Sequence, residues 1–125
     1  LIIGTGIDHV RCDRMGDVLS RWGGRFEKRV FDETEISYSR AKKQPQLHFA
    51  ARFAAKEAFF KALGTGFGRG LNWTDVVVRN RPDGKPELLL KGKARDLAAE
   101  KGVRRVHLSL SHTDESGLAI VVMED

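Results

Sequence analysis

The sequence predicts an α+β fold: a small single domain, residues 1–125, in which a mostly antiparallel sheet packs on one long central helix. Three observations carry this expectation. Apolar, β-branched segments stand at both ends of the chain. One run, Gln46 to Leu63, is rich in Ala, Leu and Phe and free of Gly and Pro. The turn RPDGKP places Asp83-Gly84 where a hairpin needs it. With 125 residues, 41% hydrophobic and 31% charged, the chain can fill one core and is too apolar for disorder.

The elements follow in order. Leu1 to Ile7 reads as a buried strand ending near Asp8. Asp13 can cap a short helix through about Trp22, which Gly23-Gly24 should stop. Asp32 followed by Glu35 resembles a capping box, opening a polar helix to about Lys43, and Pro45 breaks the chain. The Gln46–Leu63 helix ends at Gly64, and a glycine-rich loop, GTGFGRG, comes next. Strands are expected at Val76–Arg79 and Glu87–Lys91, then a short amphipathic helix, GKARDLAAEKG, capped by Gly102. Val103–Ser111 and Gly117–Met123 finish the chain as two strands.

Charge narrows the partners. The net charge is +5 and the pI about 9.7, which favours something acidic: nucleic acid, a membrane surface, a phosphorylated ligand or an acidic protein. Six basic residues lie between Arg11 and Arg29 against three acidic ones. Arg14 and Arg21, seven residues apart, share a face if they stand on one helix. A nucleic-acid module finds little support: no RNP-like or helix-turn-helix pattern occurs, and the aromatics cluster in the long helix instead of alternating with Arg. The single cysteine, Cys12, excludes an internal disulfide and suits a reducing cytoplasm. No apolar run approaches the roughly 18 residues of a membrane span, and Leu1 to Asp8 is too short and wrongly flanked for a signal peptide. Neither a membrane nor a nucleic-acid partner is expected.

Glu57 is the first chemical signal. Projected at about 100° per residue from Phe53, Phe60 falls at about −20°, Glu57 at about +40° and Lys61 at about +80°. A carboxylate beside two phenylalanines on a packed helix needs a cation or a polar cleft. Either Lys61 supplies an i,i+4 pair, or Glu57 is a metal ligand and Lys61 is left for a phosphate. Asp8, after GTG at a strand end, either starts a turn or joins Glu57 on a hard cation such as Mg²⁺. Gly4 and Gly6 imply that another backbone or a ligand comes close. Ser109, Ser111, His112 and Thr113 in SLSHT suit hydrogen bonding to phosphate. GTGFGRG follows a helix C-terminus and so is not a dinucleotide or P-loop fingerprint. No nucleophile elbow, HExxH or Cys/His zinc set occurs.

Three segments in order, GTGIDHVRCDRM, RFAAKEAFFKALGTGFGRG and SLSHT, with the GKP turn, resemble the holo-acyl-carrier-protein synthases, the small bacterial 4′-phosphopantetheinyl transferases. The resemblance implies a 4′-phosphopantetheinyl transferase-like fold. It implies Mg²⁺-dependent transfer of phosphopantetheine from coenzyme A to a serine of apo acyl carrier protein, leaving adenosine 3′,5′-bisphosphate, in fatty acid biosynthesis. By position, Asp8 and Glu57 match the metal ligands, Lys61 an active-site lysine and His112 a histidine that contacts coenzyme A. Arg52, Gly64, Gly66, Ser109 and Thr113 match positions near the cofactor. Members are similar in forming homotrimers with coenzyme A between subunits, and the arginine face of Arg14, Arg21 and Arg25 is then expected to dock the acidic carrier protein.

Overall fold

The computed structural model describes residues 1–125. Five strands and four α-helices run in the order β1 (Ile2–Arg11), α1 (Cys12–Val30), α2 (Glu33–Arg40), α3 (Pro45–Leu63), β2 (Val76–Asn80), β3 (Pro86–Leu90), α4 (Gly92–Glu100), β4 (Arg105–His112) and β5 (Ser116–Glu124). A 3-10 turn, Trp73–Asp75, leads into β2. The α+β class holds, but the antiparallel pairing is divided between two sheets, β1-β5-β4 and the β2-β3 hairpin. The helix α4 separates the hairpin from β4 in the chain, and Val76 and Val78 bury the hairpin in the main core on their own.

The α3 helix is the axis of the molecule. Its alanines meet strand glycines: a Cβ on Gly4 would sit 2.1 Å from the Ala62 carbonyl oxygen, one on Gly6 2.0 Å from that of Ala58, and one on Gly117 2.7 Å from the Ala51 nitrogen. Backbone therefore packs on backbone, with no side chain between, and the question left by Gly4 and Gly6 is answered by α3 itself. Ala119, Val121, Met123 and Leu108 fill the same face of the sheet. A second cluster, with Met15, Val30, Phe31, Leu47 and Phe49, lies beneath α1 and α2.

Three expectations are corrected. The first strand continues to Arg11, and it is not buried on both faces: Ile2, Ile3 and Ile7 are exposed, as are Leu118 and Ile120 on β5. One face of β1-β5-β4 packs on α3 and the other is open. Gly23-Gly24 does not end α1; Gly23 takes φ 53° and kinks it, and the helix resumes to Val30. The second half is held because Phe26 and Val30 join the second core and Glu27 forms a two-pronged ion pair with Arg40. Its N-cap is Arg11, while Asp13 sits in the first turn and accepts from Arg11 and from the Arg14 amide. The Asp32/Glu35 capping box is present in both halves, though α2 stops at Arg40. Gly64 closes α3 in the left-handed conformation, φ 84°.

Candidate active site

Strand alternation puts Asp8 on the same face of β1 as Gly4 and Gly6, towards α3. The glycine contacts bring that face so close that Lys61 Nζ reaches across and donates to Asp8 Oδ1 at 2.9 Å and to the Ile7 carbonyl at 3.0 Å. Lys61 thus pairs with Asp8, not with Glu57 one turn before it. Glu57 is half-buried and has neither an ion pair nor a hydrogen bond. Burial raises its carboxyl above the ordinary range, the neighbouring Asp8 adds to the rise, and Lys61 opposes it. Two carboxylates close enough to repel, with one cation between strand and helix, form a site short of positive charge. Asp8 and Glu57 could hold a hard divalent ion, which takes few protein oxygens and leaves positions for water and phosphate. No cluster of three or more His, Cys, Asp or Glu side chains exists that would suit a zinc cage.

Arg52 and His112 belong to a different place. Arg52 and Glu57 point about 140° apart round α3. Arg52 is 4% exposed, its guanidinium lies 4.0 Å above the Tyr38 ring, and its Nε has no partner. Burial lowers its pKa, against the pull of Tyr38 and Glu35. His112 meets the edge of His48 with ring centroids 5.5 Å apart, and His48 in turn packs on Tyr38 at 5.8 Å. Lys42 Nζ stands 4.5 Å from the centre of the Tyr38 ring. Burial acts to raise the Tyr38 pKa, but the Asn80 hydrogen bond and the charges of Arg52 and Lys42 outweigh it, and the net shift is downward. The cluster holds two histidines, an arginine and a lysine, and suits an anion.

The other sequence-derived candidates are more scattered. Ser109 is exposed on the open face of the sheet, paired with Ile120 of β5. Thr113 Oγ1 accepts the amides of Glu115 and Ser116, bracing the β4–β5 turn. Gly64 donates to the Phe60 and Lys61 carbonyls, and Gly66 donates to Phe60. Arg14 and Arg21 border one groove on α1 with Asp17, Val18 and Trp22; Arg25 and Arg29 border the next, beyond the kink.

Sequence reasoning overlooked the group that locks α3 in place. Lys56 is fully buried and donates to Glu35 Oε1 at 2.9 Å, to the Trp73 carbonyl at 3.0 Å and to the Val76 carbonyl at 2.5 Å. Glu35 Oε2 accepts from the Val78 amide, and Oε1 also completes the capping box at Asp32. One ion pair therefore ties α2, α3 and β2 together. Trp73, held by its carbonyl, stacks between Phe53 at 5.1 Å and Phe67 at 4.3 Å and meets Phe60 edge-on at 5.4 Å. It lies along the face of α3 that carries Glu57. The signal was available: the same projection puts Lys56 at about −60°, among the phenylalanines.

Comparison with known proteins agrees with this architecture. Residues 4–120 match the 4′-phosphopantetheinyl transferase superfamily. The holo-[acyl-carrier-protein] synthase of Syntrophus aciditrophicus is 45% identical over 99% of this chain and 97% of its own. The crystal structure of the Neisseria meningitidis synthase superposes with a TM-score of 0.90 at 34% identity, covering 100% of both chains. The Bacillus anthracis synthase, solved in complex with CoA (3′,5′-ADP), superposes at 0.80 with 35% identity over 98% of this chain and 96% of that one. With the RFAAKEAFFK segment carrying Glu57 and Lys61, and Lys61 bonded to Asp8, the chain belongs to the holo-acyl-carrier-protein synthase family of 4′-phosphopantetheinyl transferases.

Proposed function

We propose that this chain moves the 4′-phosphopantetheine group of coenzyme A onto a serine of apo acyl carrier protein, with Mg²⁺ held by Asp8 and Glu57, in the service of fatty acid biosynthesis. The single observation that carries this is the Asp8–Lys61 pair beside an unpaired, half-buried Glu57, on the residues that match the family motif. One P–O bond forms at the serine oxygen and one breaks at the bridging oxygen of the pyrophosphate, releasing adenosine 3′,5′-bisphosphate. Such transfer asks the protein mainly for alignment and charge neutralisation. A bound Mg²⁺ would polarise the phosphorus under attack. Lys61, kept by Asp8 and the Ile7 carbonyl in one orientation, neutralises or protonates the departing phosphate. Arg52 and His112 bind coenzyme A at its far end, with Ser109, Thr113, Gly64 and Gly66 lining its path.

The two clusters diverge by about 140° on α3, so one coenzyme A is better served by two neighbouring chains. The open sheet face, with Ile7 57%, Ile120 43% and Leu118 39% exposed, offers an apolar surface for that neighbour. A homotrimer with active sites between subunits fits both facts. The carrier protein docks on α1 through Arg14, Arg21 and Arg25, whose charge complements an acidic partner. Residues 1–125 serve as one domain in this scheme. A cytoplasmic setting suits the buried, unpaired Cys12, and no helix is long and apolar enough to cross a membrane. The test is intact-mass spectrometry of apo acyl carrier protein incubated with this chain, coenzyme A and Mg²⁺. One added phosphopantetheine, lost with EDTA, is expected; no gain on a folded carrier protein would overturn the assignment.

A further inference from the structure

The basic cluster at the start of α3 contains a residue that neither the family motif nor the chemistry above employs. His48 lies one turn before Arg52 and touches both Tyr38 of α2 and His112 of β4. The groups facing it are few. Tyr38 and Lys42 come from α2 and the residues just after it, Arg52 from α3 and His112 from β4. The carboxylate whose charge acts on Arg52 is Glu35, and it is already held by Lys56, Val78 and Asp32. A buried guanidinium with an unpartnered Nε, two imidazoles and a lysine without a free acid among them make a built site for an anion.

We infer that His48 is a specificity residue: paired with His112 beside Arg52, it takes up a proton when a phosphomonoester binds, so the chain selects a 3′-phosphorylated over a dephosphorylated nucleotide more strongly as pH falls. The inference rests on the coenzyme A reading above and deepens it. Coenzyme A carries a pyrophosphate and a separate 3′-phosphomonoester. The pyrophosphate belongs with Asp8, Glu57 and Lys61; the phosphomonoester is the anion left for a cluster with cations and no metal ligands.

The sign follows from the surroundings. Without ligand, burial first, then His112, Arg52 and Lys42, holds the His48 imidazole below its ordinary range, which favours its neutral form. A phosphomonoester dianion cancels those neighbouring charges and favours the protonated His48 imidazole, which then donates to a phosphate oxygen. Binding then consumes a proton, and affinity rises as pH falls between the ligand-bound and ligand-free values. A rise of one unit on binding corresponds to about tenfold in affinity. Only part of that is sampled between pH 8.0 and 6.5, so about a threefold change is expected.

The experiment is isothermal titration calorimetry of the full chain with coenzyme A and with dephospho-coenzyme A, at pH 8.0 and 6.5, in two buffers of different ionisation enthalpy. Wild-type protein should take up more protons with coenzyme A than with the dephospho compound, and the ratio of the two affinities should grow about threefold towards pH 6.5. His48→Phe keeps aromatic edge contacts with Tyr38 and His112 and should lose both the excess uptake and the growth of the ratio. His48→Gln serves the same purpose if the phenylalanine variant fails to fold. Coenzyme A binding without excess proton uptake overturns the inference and leaves the coenzyme A reading standing, as does uptake that survives in the variants. If coenzyme A does not bind wild-type protein at either pH, the coenzyme A reading falls and takes this inference with it.

Discussion

Replacing Gly6 by alanine would put a methyl carbon 2.0 Å from the Ala58 carbonyl oxygen and 2.7 Å from the Ala62 nitrogen, both backbone atoms of α3. Neither atom can rotate aside, so β1 must retreat by about 1.5 Å to regain ordinary contact. Asp8 lies two residues along that strand, and its bond to Lys61 is 2.9 Å, so a retreat of this size breaks it. Misplacing a reacting group by about 1 Å costs on the order of a hundredfold in rate. Overpacking adds about 1–3 kcal/mol of lost stability. For a domain of this size that is a fall in Tm of roughly 4 °C per kcal/mol. Gly6→Ala should therefore lower kcat/KM for carrier-protein modification about a hundredfold and Tm by roughly 4–12 °C, read by intact mass and by calorimetry. Gly24→Ala is the control: nothing lies within 4 Å of its Cβ, so the gain in helix propensity should stabilise α1 by about 0.5–1 kcal/mol. Wild-type kcat and Tm in Gly6→Ala would refute the claim that strand–helix backbone contact sets the site.

Lys56→Met strands a buried carboxylate at Glu35 and should cost about 3–5 kcal/mol in urea denaturation. The deficit should shrink at lower pH, where Glu35, whose carboxyl burial already pushes up, can bind a proton; a deficit independent of pH would contradict this. Glu57 is held above its ordinary value by burial and by Asp8, so its ionisation opposes folding, and stability is lost as pH rises from the unfolded-state value through the folded one. Glu57→Gln should thus melt no lower than wild type in EDTA, with an advantage larger at pH 8 than at pH 5, while turnover is abolished; retained turnover at saturating Mg²⁺ would remove Glu57 from the site. Arg14→Glu with Arg21→Glu should raise the KM for acyl carrier protein about tenfold in low salt and far less in high salt. Under the proposed trimer, Ile120→Glu on the open sheet face should leave only monomers by light scattering and abolish turnover with the loss of the shared site.

Much of the architecture could be read before any coordinates were seen, wherever the signal was local. The Asp32/Glu35 capping box, the Gly64 stop and the Asp83-Gly84 turn depend on backbone needs met within four or five residues, and each stands where expected. Errors came where a distant contact overrode the local preference. Gly23-Gly24 would end an isolated helix, but the Glu27–Arg40 pair and the Phe26 packing carry α1 through the kink. Spacing left Lys61 open either to Glu57, one turn before it, or to a phosphate, and only the arrival of β1 gave it Asp8 as its ion-pair partner.

By itself, the sequence determined which residues are proposed to carry the chemistry. Asp8, Glu57 and Lys61 sit in segments whose order and spacing resemble those of the family, and the superfamily match over residues 4–120 includes all three. Tertiary structure decided how they meet. Three glycines let two strands touch the backbone of α3, which turns a carboxylate at position 8 and a lysine at position 61 into a bonded pair. It also decided that Lys56, not Glu57, is the charge sealed in the core, and that Arg52 points away from Glu57 round α3 and packs with Tyr38, on which His48, the neighbour of His112, also rests. The physical reason is that local rules act through a few bonded neighbours, whereas burial and charge pairing depend on what another element brings across space.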